Sequence, residues 1–337
     1  GPGVLQLETV APPSPRDAEV LVRVDACGVC FHDVLARRGL LRRRVRMPLV
    51  PGHEVAGVVE AVGPAVRRLK PGDRVASTQR RRVCGRCRYC RCGREASCPE
   101  REGLGDAGLN GGYAELVCID EATLALVPDG IPPEQAAIAG CAIGTALHAV
   151  RDAGGVRPGH AVLVTGASGG IGIHAVQLAR LAGGFVVAVT TSPRKAQRIG
   201  ELGAHEVLVA RPGEDFSAAV RELTGGAGVD VAIDTVGSPL FHPTRRSLAP
   251  GGRWVLAGQL TDEPVPFNPA QLLLRDLSIA SAWGAARTQL EDALRLVRLG
   301  QVTPVVASPV PLEEAAAAHE RLERAEATGR LVLSPLA

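Results

Sequence analysis

Hydrophobic and polar positions change their rhythm once along the chain, near Ala142. Before that point the apolar residues alternate in short runs. Glu19-Val20-Leu21-Val22-Arg23-Val24 has the period of two that a half-buried strand needs, and Val55 to Val62 repeats it before Gly63 closes the run. Lys70-Pro71-Gly72-Asp73-Arg74-Val75 is a turn feeding a third strand, and Tyr113 to Ile119 predicts a fourth. Short strands at this spacing predict a small antiparallel barrel.

After Ala142 the pattern becomes strand, helix, strand, helix. Ala161-Val162-Leu163-Val164-Thr165 is continuously apolar, as in a parallel strand buried on both faces. A helix is expected from about Gly170 to Leu181, then a strand over Phe185 to Thr190. Ser192-Pro193 reads as an N-cap with proline at the first helical position, and Gly203 ends that helix. Further strands are predicted at Glu206 to Val209, Val229 to Asp234, Arg253 to Ala257 and Leu277 to Ser281, which together make a doubly wound parallel sheet. From Thr288 on, helices around Gln289–Leu299 and Leu312–Arg324 and a strand at Arg330 to Leu333 are expected to fold back onto the first part. The division is therefore a barrel unit over 1–142 and 286–337, with a cysteine lobe at 84–98, and a parallel-sheet unit over 143–285. No internal repeat or low-complexity linker interrupts it.

Composition narrows the function classes. At 337 residues two domains are the natural expectation, and 46% hydrophobic with 22% charged residues is the balance of a soluble globular chain. A net charge of +3 is too small to imply a nucleic-acid partner, and 3% aromatic content offers no base-stacking platform. No apolar run approaches the roughly 20 residues of a membrane span, and no secretory signal is read at the start, where Gly1 is taken as a trimmed or tagged residue. Nine cysteines outside a secretory context favour metal ligation or catalysis over disulfides, and a cytoplasmic location follows by default.

Cys84, Cys87, Cys90 and Cys98 stand as C-x2-C-x2-C-x7-C. Four thiolates on one compact loop close a tetrahedron around zinc and leave no position for substrate, so this site reads as structural. The loop is poor in apolar residues and rich in arginine (Arg80, Arg81, Arg82, Arg86, Arg88, Arg91, Arg94), so it needs such a staple. Cys92 is a fifth cysteine inside it, a bystander or a competitor; spacing does not decide which.

Two further stretches carry chemistry. Gly52-His53-Glu54 places an imidazole beside a carboxylate at the mouth of a predicted strand, a pair that can approach one cation or form a plain surface dyad. Gly166-Ala167-Ser168-Gly169-Gly170-Ile171-Gly172 lies between a predicted strand and helix, where glycines let a pyrophosphate reach the backbone N–H groups and the positive end of the helix. At the end of the second strand Thr190-Thr191-Ser192-Pro193-Arg194-Lys195 has no acid to grip two ribose hydroxyls. Hydroxyls and two cations are available for a 2′-phosphate instead, which favours NADP(H) over NAD(H). The alternative for this run is a capped helix start with a solvated basic pair.

The Gly52-to-Gly63 stretch, Cys27-Gly28-Val29-Cys30 followed by Asp33, the four-cysteine lobe and the glycine-rich turn occur in the order found in zinc-containing alcohol dehydrogenases. The chain resembles that medium-chain dehydrogenase/reductase family over nearly its whole length. The resemblance implies a GroES-like β-barrel catalytic domain and a Rossmann domain, two zinc ions and NADP(H). It implies Cys30, His53 and Cys141 as ligands of a catalytic zinc. Glu54 would sit behind the metal and ligate it transiently, and Asp33 would accept the other ring N–H of His53. Thr145 would line the nicotinamide pocket, with Gly166, Gly169, Gly170, Ile171, Gly172, Thr191, Ser192, Arg194 and Lys195 about the cofactor. Cys27 and Cys118 are left as small core residues. His32 stands where many such enzymes carry a serine or threonine that passes a proton outward, and either shuttles a proton itself or shapes the pocket.

The expected function is hydride transfer between NADP(H) and an alcohol/aldehyde or ketone pair, in a homodimer or homotetramer built through the sheet edge near Leu277 to Ser281. The competing reading is a zinc-containing enoyl reductase acting on an acryloyl-type thioester. The G-x-x-G-x-x-G spacing and His32 lean toward it, as does the run Arg37-Arg38-Gly39-Leu40-Leu41-Arg42-Arg43-Arg44, which could meet an acyl carrier's phosphates or be a solvated loop. A cofactor-binding protein without catalysis is a third class. Such a chain would be expected to lack a zinc ligand, and this one keeps them all.

Overall fold

The computed structural model describes residues 1–40, 47–106 and 109–335. The chain divides into two compact units, Gly1–Gly144 with Gly284–Ala337, and Thr145–Trp283.

The first unit is built on a seven-stranded sheet. Its order is Val310–Pro311, Leu331–Ser334, Glu19–Val29, Val55–Val62, Arg74–Ser77 and Leu124–Leu126, with Leu116–Asp120 also paired to Glu19–Val29. All pairs are antiparallel except Val310–Pro311 with Leu331–Ser334. Glu19–Val29 alternates buried and half-buried residues as expected, and its last four residues are all buried. Val20, Val22, Val24, Val55, Val59, Ile119, Leu124, Leu331 and Leu333 form the core on its inner face. The strand is longer than its alternation predicts. The register shifts at Leu21/Val22, where Glu60 of the partner strand is extra, and at Val24/Ala26, where Asp25 is extra, and beyond Ala26 the alternation gives way to a fully buried stretch that carries the strand on to Val29. At the bulge Gly57 has no room for a side chain, since a Cβ there would lie 1.9 Å from the Arg23 carbonyl oxygen.

The helix Phe31–Arg37, which the periodicity does not announce, starts directly after that strand, with Cys30 as its N-cap residue. Tyr113, expected inside a strand, precedes it; the strand itself begins at Leu116. The helix expected over Leu312–Arg324 opens as a short 3₁₀ turn, Leu312–Glu314, and becomes α-helical over Ala315–Glu323.

The second unit is a six-stranded parallel sheet in the order Glu206–Val209, Phe185–Thr190, Ala161–Thr165, Val229–Asp234, Leu248–Leu256, Ser278–Ser281. This is the doubly wound Rossmann order, with the first strand at the centre and the chain reversing direction beside it. Its core gathers Leu163, Val187, Val220, Ala232, Leu248 and Trp254. Trp254 is fully buried, packs against Phe241 with ring centroids 4.7 Å apart, and donates its indole N–H to Asp234 Oδ2 at 3.2 Å. Asp234 also accepts from Thr165 Oγ1 at 2.6 Å and from the N–H groups of Val236 and Gly237, so its charge is fully partnered inside the sheet.

Glycines at two positions should respond oppositely to alanine. Gly57→Ala overpacks the bulge and is expected to destabilise the first unit by about 1–3 kcal/mol. Gly200, inside the helix Pro193–Glu201, has nothing within 4 Å of a Cβ, so Gly200→Ala is expected to stabilise by up to about 1 kcal/mol. Urea unfolding of the two variants beside the parent chain measures both signs.

Candidate metal centres and cofactor turn

Strand register assembles the first cluster. Cys27 pairs with Val55 and Val29 with Leu331, and the pairing continues through Gly28 N–H to the Glu54 carbonyl at 2.8 Å. Cys30, one residue past Val29, is thereby brought beside His53 and Glu54, which precede Val55, and beside Arg330, which precedes Leu331. Cys141 arrives on the helical turn Ala139–Ile143. Gly140 lets that turn lie on the Arg74–Ser77 strand, for a Cβ there would be 2.0 Å from the Ser77 carbonyl oxygen.

The ligand atoms of Cys30, His53, Glu54 and Cys141 all lie within 4.8 Å of one another, and all four residues are buried. Two sulfurs, an imidazole nitrogen and a carboxylate oxygen are the donor types zinc takes. Glu54 Oε2 is buried without a hydrogen-bond partner, as a ligand atom awaiting a cation would be. The residues fit the ion.

Their electrostatics agree. Cys30 is held well below the ordinary thiol value, first by the hydrogen bond from Cys141 and then by Arg330 and His53. The same bond pushes Cys141 up, so the pair shares a proton that a cation would displace. Burial raises Glu54 to about 7 against the pull of Arg330, whose guanidinium is 3.1 Å from Glu54 Oε1. Arg330 also reaches Cys141 Sγ at 3.8 Å. Asp33 Oδ1 lies 3.1 Å from His53 Nδ1, and Oδ2 accepts the Cys30 N–H at 2.9 Å. Nδ1 thus faces Asp33 and leaves Nε2 for the cluster. His32 stands at the margin, its side chain 39% exposed, its ring edge-on to His53 at 5.3 Å and its Nε2 3.9 Å from Asp106.

The second cluster is Cys84, Cys87, Cys90 and Cys98. Sulfur separations of 3.6 Å (Cys87 to Cys90) and 3.9 Å (Cys84 to Cys90) bracket the edge of about 3.8 Å that a zinc tetrathiolate requires. Backbone N–H groups of Cys84, Cys87 and Cys90 point at neighbouring sulfurs, and those of Arg86 and Cys87 lower the Cys84 thiol to about 7. Cys92 falls outside the group, exposed, with its thiol on the Tyr89 carbonyl.

In the second unit the glycines of the turn divide by role. A Cβ on Gly166 would meet Thr235 Oγ1 at 2.4 Å, and one on Gly172 the Gly166 carbonyl at 2.2 Å, so both are bare for packing. Gly169, the N-cap of Gly170–Leu181, would meet nothing closer than 3.3 Å, so packing alone does not account for its bareness. Gly170 is buried and Ile171 half-buried on that helix, whose turn is tied to the second strand by Ala167 N–H on the Val189 carbonyl. Ser192 occupies the N-cap position of Pro193–Glu201, but its hydroxyl does not cap the helix. Thr191 and Arg194 are exposed, Lys195 is half-buried, and Thr145 is buried in this unit.

Cys27 and Cys118 are buried, as expected of core residues. Of the basic run, Arg37 and Arg38 both bind Glu323, while Leu41 to Arg44 lie outside the described residues. Arg330, Tyr113 and His319 belong to the site's surroundings but carry no motif that would have singled them out.

Family models for an alcohol dehydrogenase GroES-like domain and a zinc-binding dehydrogenase match residues 16–129 and 170–298. The chain belongs to the zinc-type alcohol dehydrogenase family of medium-chain dehydrogenase/reductases. It is an oxidoreductase of that family. It is 36% identical to the acryloyl-coenzyme A reductase of Sulfurisphaera tokodaii over 98% of this chain and 96% of that protein. An alcohol dehydrogenase of Geobacillus stearothermophilus is likewise 36% identical, over 98% and 96%. Among solved structures, that of AibC superposes with a TM-score of 0.92 at 47% identity, covering 100% of this chain and 93% of the other.

Two zinc ions per chain are expected by elemental analysis. Cys98→Ser should reduce the count to one and lower the thermal midpoint, because the arginine-rich lobe loses its staple. Cys30→Ser should remove the other ion and leave the lobe loaded.

Proposed function

We propose that this oxidoreductase is a zinc-containing, NADP(H)-dependent reductase of an α,β-unsaturated acyl thioester of the acryloyl type. The observation that carries the reading is Glu54. It is fully buried in one donor set with Cys30, His53 and Cys141, and if all four donors held the ion they would leave no place on it for a substrate oxygen. A conjugated thioester does not need that corner, since its own carbonyl polarises the double bond to be reduced. The acryloyl-coenzyme A reductase relative and the G-x-x-G-x-x-G turn support the same choice.

When bound, the nicotinamide supplies the hydride and zinc a fixed positive charge beside the reacting groups. The chain's own part is to hold and to protonate. Asp33 keeps His53 in one tautomer and orientation. The hydride would add to the β carbon of the double bond, and His32, partly exposed with Nε2 3.9 Å from Asp106, would pass the balancing proton from solvent to the α carbon. Gly169 and the N–H groups that open Gly170–Leu181 would receive the pyrophosphate, and Thr191, Ser192, Arg194 and Lys195 the 2′-phosphate.

A second reading, alcohol and carbonyl interconversion, is favoured by the ion pair of Glu54 with Arg330. With Glu54 held by Arg330, Cys30, His53 and Cys141 would hold the ion and it would be available to polarise a carbonyl oxygen.

Following NADPH consumption separates the two. An acryloyl- or crotonyl-type thioester is expected to exceed simple aldehydes and ketones by at least about 100-fold in kcat/KM; the reverse order would establish the alcohol reading instead. NADPH should be preferred to NADH. Replacing Arg194 and Lys195 together by alanine is expected to raise KM for NADPH about tenfold or more, with little change for NADH.

A further inference from the structure

Polar contacts behind His53 do not stop at Asp33. Four donors converge on that buried carboxylate: Cys30 N–H at 2.9 Å, His53 Nδ1 at 3.1 Å, Gly52 N–H at 3.3 Å and the Tyr113 hydroxyl at 3.5 Å. The Tyr113 oxygen is also 3.1 Å from Nε2 of His319, and the two rings meet edge to face with centroids 5.8 Å apart. Tyr113 is 8% exposed and His319 fully buried. Nothing in the proposed chemistry uses either.

A phenol has one proton to give, so the direction of the chain can be argued. Burial keeps His319 below the ordinary imidazole value and Tyr113 well above the ordinary phenol value, so both are neutral. If Tyr113 donated to His319, the imidazole proton would sit on Nδ1, which is buried and has no partner, and Asp33 would lose a donor. If His319 donates from Nε2, the tyrosine hydroxyl turns to Asp33 and only one nitrogen lone pair goes unmet. The second arrangement costs less.

The helix that carries His319 is itself anchored to the site. One turn further along Ala315–Glu323, Glu323 accepts from Arg37 at 2.6 Å and from Arg38 Nε at 2.8 Å. These arginines end the helix whose first turn holds Asp33, and the Arg37 side chain is 3% exposed. The Ala315–Glu323 helix therefore grips Phe31–Arg37 at its end through Glu323 and near its start through His319 and Tyr113.

We infer that His319 and Tyr113 are positioning residues for the metal centre, a directed chain of hydrogen bonds from His319 through Tyr113 to Asp33 that fixes the carboxylate orienting His53. The inference rests on the reading that Cys30, His53, Glu54 and Cys141 hold zinc. Tyr113→Phe tests it with little disturbance, because the ring that packs over Gly52 is kept and only the hydroxyl goes; a Cβ on Gly52 would lie 2.5 Å from that ring.

The measurement is zinc release from the holoenzyme to a chromogenic chelator, with zinc content and thermal unfolding recorded on the same samples. The Cys98→Ser enzyme, holding only the buried-centre ion, assigns the phases. In Tyr113→Phe and His319→Leu the buried-centre zinc is expected to leave about tenfold faster, while the ion of the cysteine lobe leaves at the parent rate. His319→Gln, whose amide N–H can stand in for Nε2–H, should recover most of the difference. If His319→Leu does not fold, Tyr113→Phe decides. The inference is overturned if folded Tyr113→Phe releases both ions at parent rates, or if His319→Gln loses zinc as fast as His319→Leu. A parent chain holding one zinc, absent from Cys98→Ser, would overturn the zinc reading of the centre as well. Two zincs with unchanged rates would overturn only the positioning chain.

Discussion

Backbone pairing of Glu19–Val29 with the strands on either side of it decides where the chemistry of the first unit can occur. Cys27 opposite Val55 and Val29 opposite Leu331 bring three strand ends level, and the residues just beyond them are Cys30, His53 with Glu54, and Arg330. A slip of one residue in either pairing would turn a ligand to the opposite face of the sheet. The buried valines at 20, 22 and 24 oppose such a slip, because it would drive them into solvent. The core therefore acts at a distance: its apolar pattern sets a register, and the register sets the donor geometry.

That geometry gathers charge where water is excluded. Asp33, Glu54 and the thiolate of Cys30 are all buried, and Arg330 with His53 is the nearby positive charge. Buried carboxylates and thiolates without enough partners must take up protons or bind a cation. The proton shared by Cys30 and Cys141 and the upward shift of Glu54 are how the protein meets that demand alone, and a divalent ion meets it better. The cysteine lobe solves a milder version with backbone N–H groups directed at sulfur, near the surface.

Some of this was open to reading and some was not, for identifiable reasons. The parallel sheet was legible because its central strands Ala161–Thr165 and Phe185–Thr190 are apolar runs separated by a helical pattern and bounded by turn residues, and the cysteine lobe because all its ligands lie within one short segment. The convergence of Cys30, His53 and Cys141 was not, since it depends on pairing between strands remote in the chain; resemblance to a family supplied it. The far end of Glu19–Val29 was hidden because its last residues, Ala26 to Val29, are all buried and no longer alternate, and with it the start of Phe31–Arg37. Arg330, Tyr113 and His319 are single residues in unremarkable surroundings, and only folded neighbours give them meaning. In the basic run at Arg37 the sequence shows charge but not partners, and the first two members pair with Glu323.

The discontinuity of the first unit bears on the order in which the protein can be made. Thr145–Trp283 is one uninterrupted segment, so a ribosome finishes it, with every strand of its sheet, before Leu331 emerges. Domains tend to form as units during synthesis. The nascent first unit meanwhile displays the thiols of Cys30 and Cys141 and the carboxylate of Glu54 with no guanidinium opposite them. Until Arg330 is made, Glu54 lacks the guanidinium that stands 3.1 Å from it in the folded chain.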